Sequence, residues 1–267
     1  MGARQELEPG KIPELEPSYF GLQALWGATK HMGGLKATEE LRELCHIDKG
    51  QYVLEVGCGT GMTACYLAKR HSCRVVGVDI SEGMIDWSTK RAKRARVEDR
   101  VEFKVGDAQD LPFKDALFDA VICESVTAFV DKQKALSEYV RVTKPGGYIG
   151  LNEVTWIKAA PPEVVKYLSR ALGKAEFLTS DGWKELLEGA GLKDIIIRVY
   201  KVSALSQWMN EMRQFDSLDY LRAWCKFLSL LIKSSAVRKY ARELWPPPKS
   251  IFSIFEYFGY GIYVGRK

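Results

Sequence analysis

The stretch Val53-Leu54-Glu55-Val56-Gly57-Cys58-Gly59-Thr60-Gly61, with Val75-Val76-Gly77-Val78-Asp79 following it, decides the fold. A short apolar run rich in branched residues reads as a buried strand, and glycines at alternate positions after it mark a tight turn that a ligand can approach closely. The second run ends in an acid. At the end of the second strand of a βαβ unit, such an acid can accept hydrogen bonds from both hydroxyls of a ribose. Together these features read as a site for a nucleoside-bearing ligand. Glu55 narrows the reading further, because a carboxylate ahead of the glycines repels a phosphate there and favours a ligand carrying positive charge. The spacing GxGxG, rather than GxGxxG, agrees that no pyrophosphate sits on the helix N-terminus.

Working outward, three further segments follow in order: Val105-Gly106-Asp107-Ala108-Gln109-Asp110-Leu111-Pro112-Phe113, then Phe118-Asp119-Ala120-Val121-Ile122-Cys123, then Arg141-Val142-Thr143-Lys144-Pro145-Gly146-Gly147. With the glycine turn, this ordered set resembles the class I S-adenosylmethionine-dependent methyltransferases over residues 50–155. The resemblance implies a doubly wound α/β fold, a mostly parallel seven-stranded sheet, and S-adenosylmethionine as cofactor. The positive sulfonium and amino groups of that cofactor match the charge expected beside Glu55. A weaker resemblance covers Trp26 to Thr38, which is similar to the entry segment of phosphoethanolamine N-methyltransferases. It implies that Lys30, His31 and Met32 lie near the sulfonium side. The histidine those enzymes place after the fourth strand corresponds here to Phe129, and their phosphate-gripping tyrosines have no counterpart around residues 173–179, which argues against a phosphobase acceptor.

Composition sets the outer bounds. A chain of 267 residues is long enough for one large domain with an elaborated cap. The net charge of +5 is mild, and the one dense basic cluster, Lys90 to Arg96, has the spacing of a solvated helix face. No nucleic-acid partner is expected. The six cysteines, at positions 45, 58, 65, 73, 123 and 225, form no CxxC pair and fit no zinc spacing. Only three histidines exist and none lies in a ligand-spaced acidic cluster, so catalysis is expected to need no metal. The N-terminus lacks the apolar core of a signal segment and no apolar run is long enough to span a membrane, so a cytoplasmic location is expected.

Residues 1–17 are polar and proline-spaced and read as a flexible arm, with residues 18–49 forming an N-terminal helical cap. The methyltransferase domain is expected over 50–267. Its strands are predicted near 51–56, 74–79, 101–105, 118–123, 147–153, 193–199 and 255–264. Helices are predicted near 61–70, 82–95 with Ser81 as N-cap, 131–142, and from Ser180-Asp181 to Gly189. Residues 204–248 are expected to insert a helical region with one apolar face, including Leu218, Trp224, Leu228 and Ile232. This face is read as a pocket roof in preference to a membrane contact, and Pro246-Pro247-Pro248 ends the insertion.

For the site, Gly57, Gly59 and Thr60 are expected in the turn around the cofactor, Glu55 near its amino group, Asp79 on the ribose and Ile80 against the adenine. The family resemblance implies that Asp107 and Ala108 hold the adenine edge, while Asp110 is read as turn chemistry before Pro112. Glu124, just beyond the fourth strand, is the acid expected to face the reaction space, with Asn152 and Glu153 at the end of the fifth strand either facing the acceptor or, for Glu153, pairing at the surface. Tyr19 and His31 are the candidates from the cap for contacting the acceptor, His31 as a base near neutral pH. The expected function is methyl transfer to a small molecule, an amine or a partly apolar metabolite. The alternatives are a nucleic-acid methyltransferase, disfavoured because no Asp/Asn-Pro-Pro-Tyr follows the fourth strand, and a cofactor-binding regulator without turnover.

Overall fold

A computed structural model describes residues 31–173, 175–203, 225, 228–243 and 254–267. Tyr19, Lys30, the N-terminal arm and most of the expected insertion lie outside the described residues.

Helix α1 (Gly34–Leu44) precedes strand β1 (Tyr52–Val56), helix α2 (Met62–His71), strand β2 (Arg74–Asp79), helix α3 (Glu82–Ala95) and strand β3 (Val101–Val105). Strand β4 (Phe118–Glu124), a short 3₁₀ turn (Thr127–Phe129), helix α4 (Lys132–Val142) and strand β5 (Thr143–Trp156) follow. The chain continues through helix α5 (Pro162–Leu172), strand β6 (Leu178–Thr179), helix α6 (Ser180–Gly189), strand β7 (Lys193–Lys201), helix α7 (Ser235–Glu243) and strand β8 (Phe258–Arg266). The strands order as β3-β2-β1-β4-β5-β8-β7, with the two-residue β6 pairing off this path onto β5. β8 runs antiparallel to both its neighbours, and every other pair is parallel. This is the expected mostly parallel, seven-stranded path.

Alternation along each strand sends successive side chains to opposite faces, which divides the core in two. Leu54, Val56, Val76, Val121 and Ile149 pack under α4 and α6 through Leu136, Tyr139, Trp183 and Leu187. Val53, Val75, Ala120, Ile122 and Ile262 pack on the opposite face against Ala37 and Leu41 of α1, Leu67 of α2 and Ala92 of α3. Central strands covered on both sides are near-continuously apolar for that reason. The strand order reverses between β1 and β4, and ligands of open α/β sheets bind beyond the carboxyl ends of strands at that point.

The element boundaries depart from expectation in instructive ways. Ser81 caps α3 as predicted, its hydroxyl accepting from the Met84 N–H at 3.4 Å, but the cap of α6 is Thr179, whose hydroxyl accepts from the Gly182 N–H at 3.2 Å. Ser180 and Asp181 are already inside that helix. Helix α5 was not predicted. In the expected insertion, the described residues 228–233 and 235–243 are helical.

Candidate active site

The glycine turn is built by main-chain bonds to the neighbouring strand. The N–H groups of Gly57 and Cys58 both donate to the Val78 carbonyl, at 2.7 and 2.9 Å, and the turn closes with Gly61 N–H to the Cys58 carbonyl at 2.9 Å. Gly57, Gly59 and Gly61 all have φ between 51° and 72°, the left-handed region that glycine enters without penalty. Gly57 has a second constraint, since a Cβ there would collide with the Val126 side chain.

Asp79 ties this turn to the end of β2. One carboxylate oxygen accepts from the Gly59 N–H at 2.9 Å and the other from the Ser81 N–H at 2.9 Å. Burial pushes its pKa up and the two amides pull it back. Each oxygen keeps a lone pair for a ligand hydroxyl. Next to it Ile80 is 72% exposed, a large apolar side chain at the mouth of a cavity that a flat ring can cover. Asp107 accepts from the Gln109 N–H at 2.8 Å, which fixes its carboxylate at the end of β3 beside buried Ala108.

These residues line one end of a cavity of about 480 Å³. Gly57, Gly59, Asp79, Ile80, Asp107 and Ala108 form that end, and His31, Met32, Glu124 and Ser125 stand further along the wall. The other end is apolar, with Phe129, Val154, Leu168, Phe177, Phe255 and Phe258. Among the described residues the wall carries Asp79, Asp107 and Glu124 and neither Lys nor Arg. A ligand with positive charge, a ribose and an apolar ring fits that donor set, whereas a pyrophosphate does not.

Glu124, on the cavity wall, is buried yet surrounded by donors. Thr63 Oγ1 donates to Oε2 at 2.7 Å, Thr38 Oγ1 lies 3.0 and 3.2 Å from the two oxygens, and Asn152 Nδ2 donates to Oε1 at 3.3 Å. His31 Nδ1 stands 3.4 Å from Oε1, and its Nε2 is 3.3 Å from Thr38 Oγ1. Asn152 also donates to the Met32 carbonyl at 2.9 Å, clamping the segment that leads into α1 onto β5. Residues from α1, α2, β4 and β5 thus meet around one carboxylate. The sequence proposed His31, Glu124 and Asn152 separately, and the structure brings them together. Thr38 and Thr63 were not anticipated, because a threonine inside an amphipathic helix gives no signal of where its hydroxyl points.

Two of the expected cofactor residues stand outside the cavity wall. Glu55 is buried beneath the turn, and its Oε2 has no hydrogen-bond partner. Burial raises its pKa well above the ordinary carboxylate value; the Glu124 and Asp79 charges add to this, and the Ala64 N–H opposes it. Thr60 is buried, with its carbonyl accepting from Arg91 Nε at 2.9 Å. That contact turns part of the basic cluster on α3 toward the glycine turn. Glu153 is neither at the surface nor in the cavity wall. It is fully buried, and its Oε1 accepts from the N–H groups of Val126 at 3.1 Å and Thr127 at 2.7 Å. Desolvation, opposed chiefly by those amides, brings its pKa up to about 7. Ser125, between Glu124 and that turn, has φ of 62° and a buried hydroxyl with no partner. Strained backbone and an unpaired polar atom at a cavity wall are marks of a functional position. No sequence motif announced them.

The comparisons with known proteins agree with this geometry. The family described as "Methyltransferase domain" matches residues 54–151, from β1 into β5. The chain is 31% identical over 162 residues to an O-methyltransferase, rstn1, of Aspergillus nomiae, a match covering 60% of this chain and 72% of that protein. It is 27% identical over 215 residues to the 27-O-demethylrifamycin SV methyltransferase of Amycolatopsis mediterranei, covering 74% of this chain and 78% of that one. Across the first curated relatives the matched share of their own length runs from 44% to 78%. Among solved structures, the [4+2]-cyclase SpnF superposes with a TM-score of 0.71 at 21% identity, covering 94% of this chain and 97% of that one. That likeness speaks for the fold alone, which hosts more than one chemistry. Sequence match and cofactor wall together decide the assignment, and the chain belongs to the class I S-adenosylmethionine-dependent methyltransferases.

Proposed function

We propose that the acceptor is a largely apolar, uncharged small molecule methylated at a hydroxyl oxygen. The observation that carries this reading is the apolar part of the cavity wall, where four phenylalanines stand with Val154 and Leu168, Phe129 against Phe177 and Phe255 against Phe258, and no described Lys or Arg faces in. An apolar wall supplies affinity by burying acceptor surface, about 25 cal/mol per Å². It offers nothing to a phosphate. Several curated relatives carry O-methyltransferase names, which supports oxygen over nitrogen.

When bound, S-adenosylmethionine supplies an activated methyl group on a positively charged sulfur. The protein's part is alignment and exclusion of water, and holding reactants in one geometry can account for most of the rate. Asp79 and Asp107 would hold the ribose and adenine, with the acidic wall favouring the cation. A hydroxyl acceptor must also lose its proton. Glu124 and His31, whose Nδ1 lies 3.4 Å from the Glu124 carboxylate, are the pair on the wall that would take it. Tyr19 stays a candidate for contacting the acceptor, and Lys30 for the cofactor. The same wall, acidic and without a described Lys or Arg, speaks against a nucleic-acid acceptor. No helix among the described residues is long and apolar enough to cross a membrane, and all six cysteines are free, which supports a reducing cytoplasmic setting.

The test is release of S-adenosylhomocysteine across a panel of neutral phenols and hydroxylated macrocycles, set against phosphoethanolamine and ethanolamine. Neutral hydroxyl compounds should be turned over faster. If phosphoethanolamine is the better acceptor, the reading is wrong.

A further inference from the structure

Glu153 contributes nothing to the cavity wall, yet it is the fully buried anchor of a segment that does. Its Oε1 accepts from two consecutive amides, Val126 and Thr127, at 3.1 and 2.7 Å, at the start of the 3₁₀ turn. The residue before them, Ser125, is held in the left-handed region at φ 62°. A turn entered through a strained residue keeps its shape only if something fixes the peptide groups that follow. Here the fixing group comes from the neighbouring strand β5, across the sheet.

The segment held this way touches both ends of the cavity. Val126 packs against Gly57 so closely that the glycine admits no Cβ. Val126, Phe129 and Val130 line the wall. The Ala128 carbonyl accepts from the Glu176 N–H at 2.8 Å, which draws Phe177 alongside, and the Phe129 and Phe177 rings meet edge to face at 6.4 Å. The glycine turn, by contrast, has anchors of its own on Val78 and Asp79. Loosening the 125–130 segment therefore acts first on the apolar end.

We propose that Glu153 is a positioning residue for the acceptor end of the site: through the Val126 and Thr127 amides it sets the Ser125–Val130 segment, and so decides which acceptors fit. This rests on the reading that the apolar end takes the acceptor. The titratable groups facing Glu153 are Cys123, Tyr139 and Tyr263, each held neutral by burial that raises its pKa. The geometry accordingly depends on an oxygen acceptor at this point and less on its charge, because a protonated carboxyl or an amide still offers a carbonyl lone pair.

The experiment compares wild type with Glu153→Gln, Glu153→Asp and Glu153→Met. Amide hydrogen exchange at Val126 and Thr127 is followed in the free protein, with S-adenosylhomocysteine affinity by calorimetry and acceptor KM and kcat with the best hydroxyl compound of the panel. Glu153→Gln should keep both amides protected and the acceptor KM within about threefold of wild type. Glu153→Met should lose the protection by about tenfold or more and raise the acceptor KM by about tenfold, with S-adenosylhomocysteine affinity within about threefold. Glu153→Asp, which keeps the acid but withdraws the oxygen by one methylene, should follow Glu153→Met and stands in if that variant does not fold. Equal protection of the two amides in Glu153→Asp and wild type would overturn the proposal, as would cofactor affinity falling in step with the acceptor KM. The exchange measurement needs no acceptor, so it stands even if the panel contradicts the hydroxyl-acceptor reading.

Discussion

At the scale of single residues, carboxylates do different work according to what surrounds them. Asp79 accepts one amide on each oxygen and keeps a lone pair on each for the ribose. Replacing it by Ala removes two hydrogen bonds to a charged group, so S-adenosylhomocysteine binding should weaken by roughly 2 to 4 kcal/mol in calorimetry. Unchanged affinity in a folded Asp79→Ala protein would remove this residue from the site. Glu153 behaves differently, because burial brings its pKa up to about 7 from an ordinary 4.5. A group that holds its proton more tightly folded than unfolded stabilises the fold below the unfolded pKa, and that contribution is lost as pH rises through the folded value. Wild type should therefore lose about 3 kcal/mol, relative to Glu153→Gln, as pH rises through that window. Urea unfolding of both proteins at several pH values reads this directly, and parallel curves would mean that Glu153 does not titrate there. Asp79 was legible from its place at the end of an apolar run. Glu153 was not, since its partners are backbone amides 26 and 27 residues away on a turn that no propensity marks.

At the scale of elements, the glycine turn shows why sequence reads so well where the backbone itself makes the site. Gly57 must combine φ of 72° with contact against Val126, and no other residue type satisfies both. Gly57→Ala should destabilise the protein by about 1 to 3 kcal/mol from backbone strain alone, and displacement of Val126 adds to that cost. Chemical denaturation gives the first quantity. An acceptor KM raised without loss of fold would show the second. The parallel strands were legible for a related reason, because central strands covered on both faces have to be apolar throughout. Helix α5 was not legible. It begins at the second of two prolines, Pro161-Pro162, and proline fits the first helical position because the N–H it lacks has no helical partner there. Its Leu168 and Leu172 then contribute to the cavity wall. The aromatic end of the site was missed with it, since Phe177, Phe255 and Phe258 come together only once α5, β6 and β8 are in place.

At the scale of the whole molecule, the site lies where the sheet reverses its strand order, so its walls come from both halves of the chain: β1 to β3 on the cofactor side, and β4, β5, α5 and β8 on the acceptor side. Two consequences can be measured. The first concerns metals. All three histidines are engaged elsewhere, His31 at Glu124, His46 against Tyr148 and His71 with Glu39, and no three His, Cys, Asp or Glu side chains converge among the described residues. Turnover should survive a chelator, and activity that a chelator abolishes and magnesium restores would sink that expectation. The second concerns cooperativity. A ligand held by both halves stabilises them as one unit, and one that binds only the folded state adds about 2.7 kcal/mol at a hundred times its dissociation constant. At about 2 to 4 °C per kcal/mol for chains near this size, S-adenosylhomocysteine should raise the melting temperature by roughly 5 to 10 °C in a single transition. The shift should shrink at the same ligand concentration in Asp79→Ala, whose lost affinity removes most of the mass-action gain. If the ligand instead splits melting into two transitions, with only one of them moving, the two halves unfold separately and the cavity does not join them.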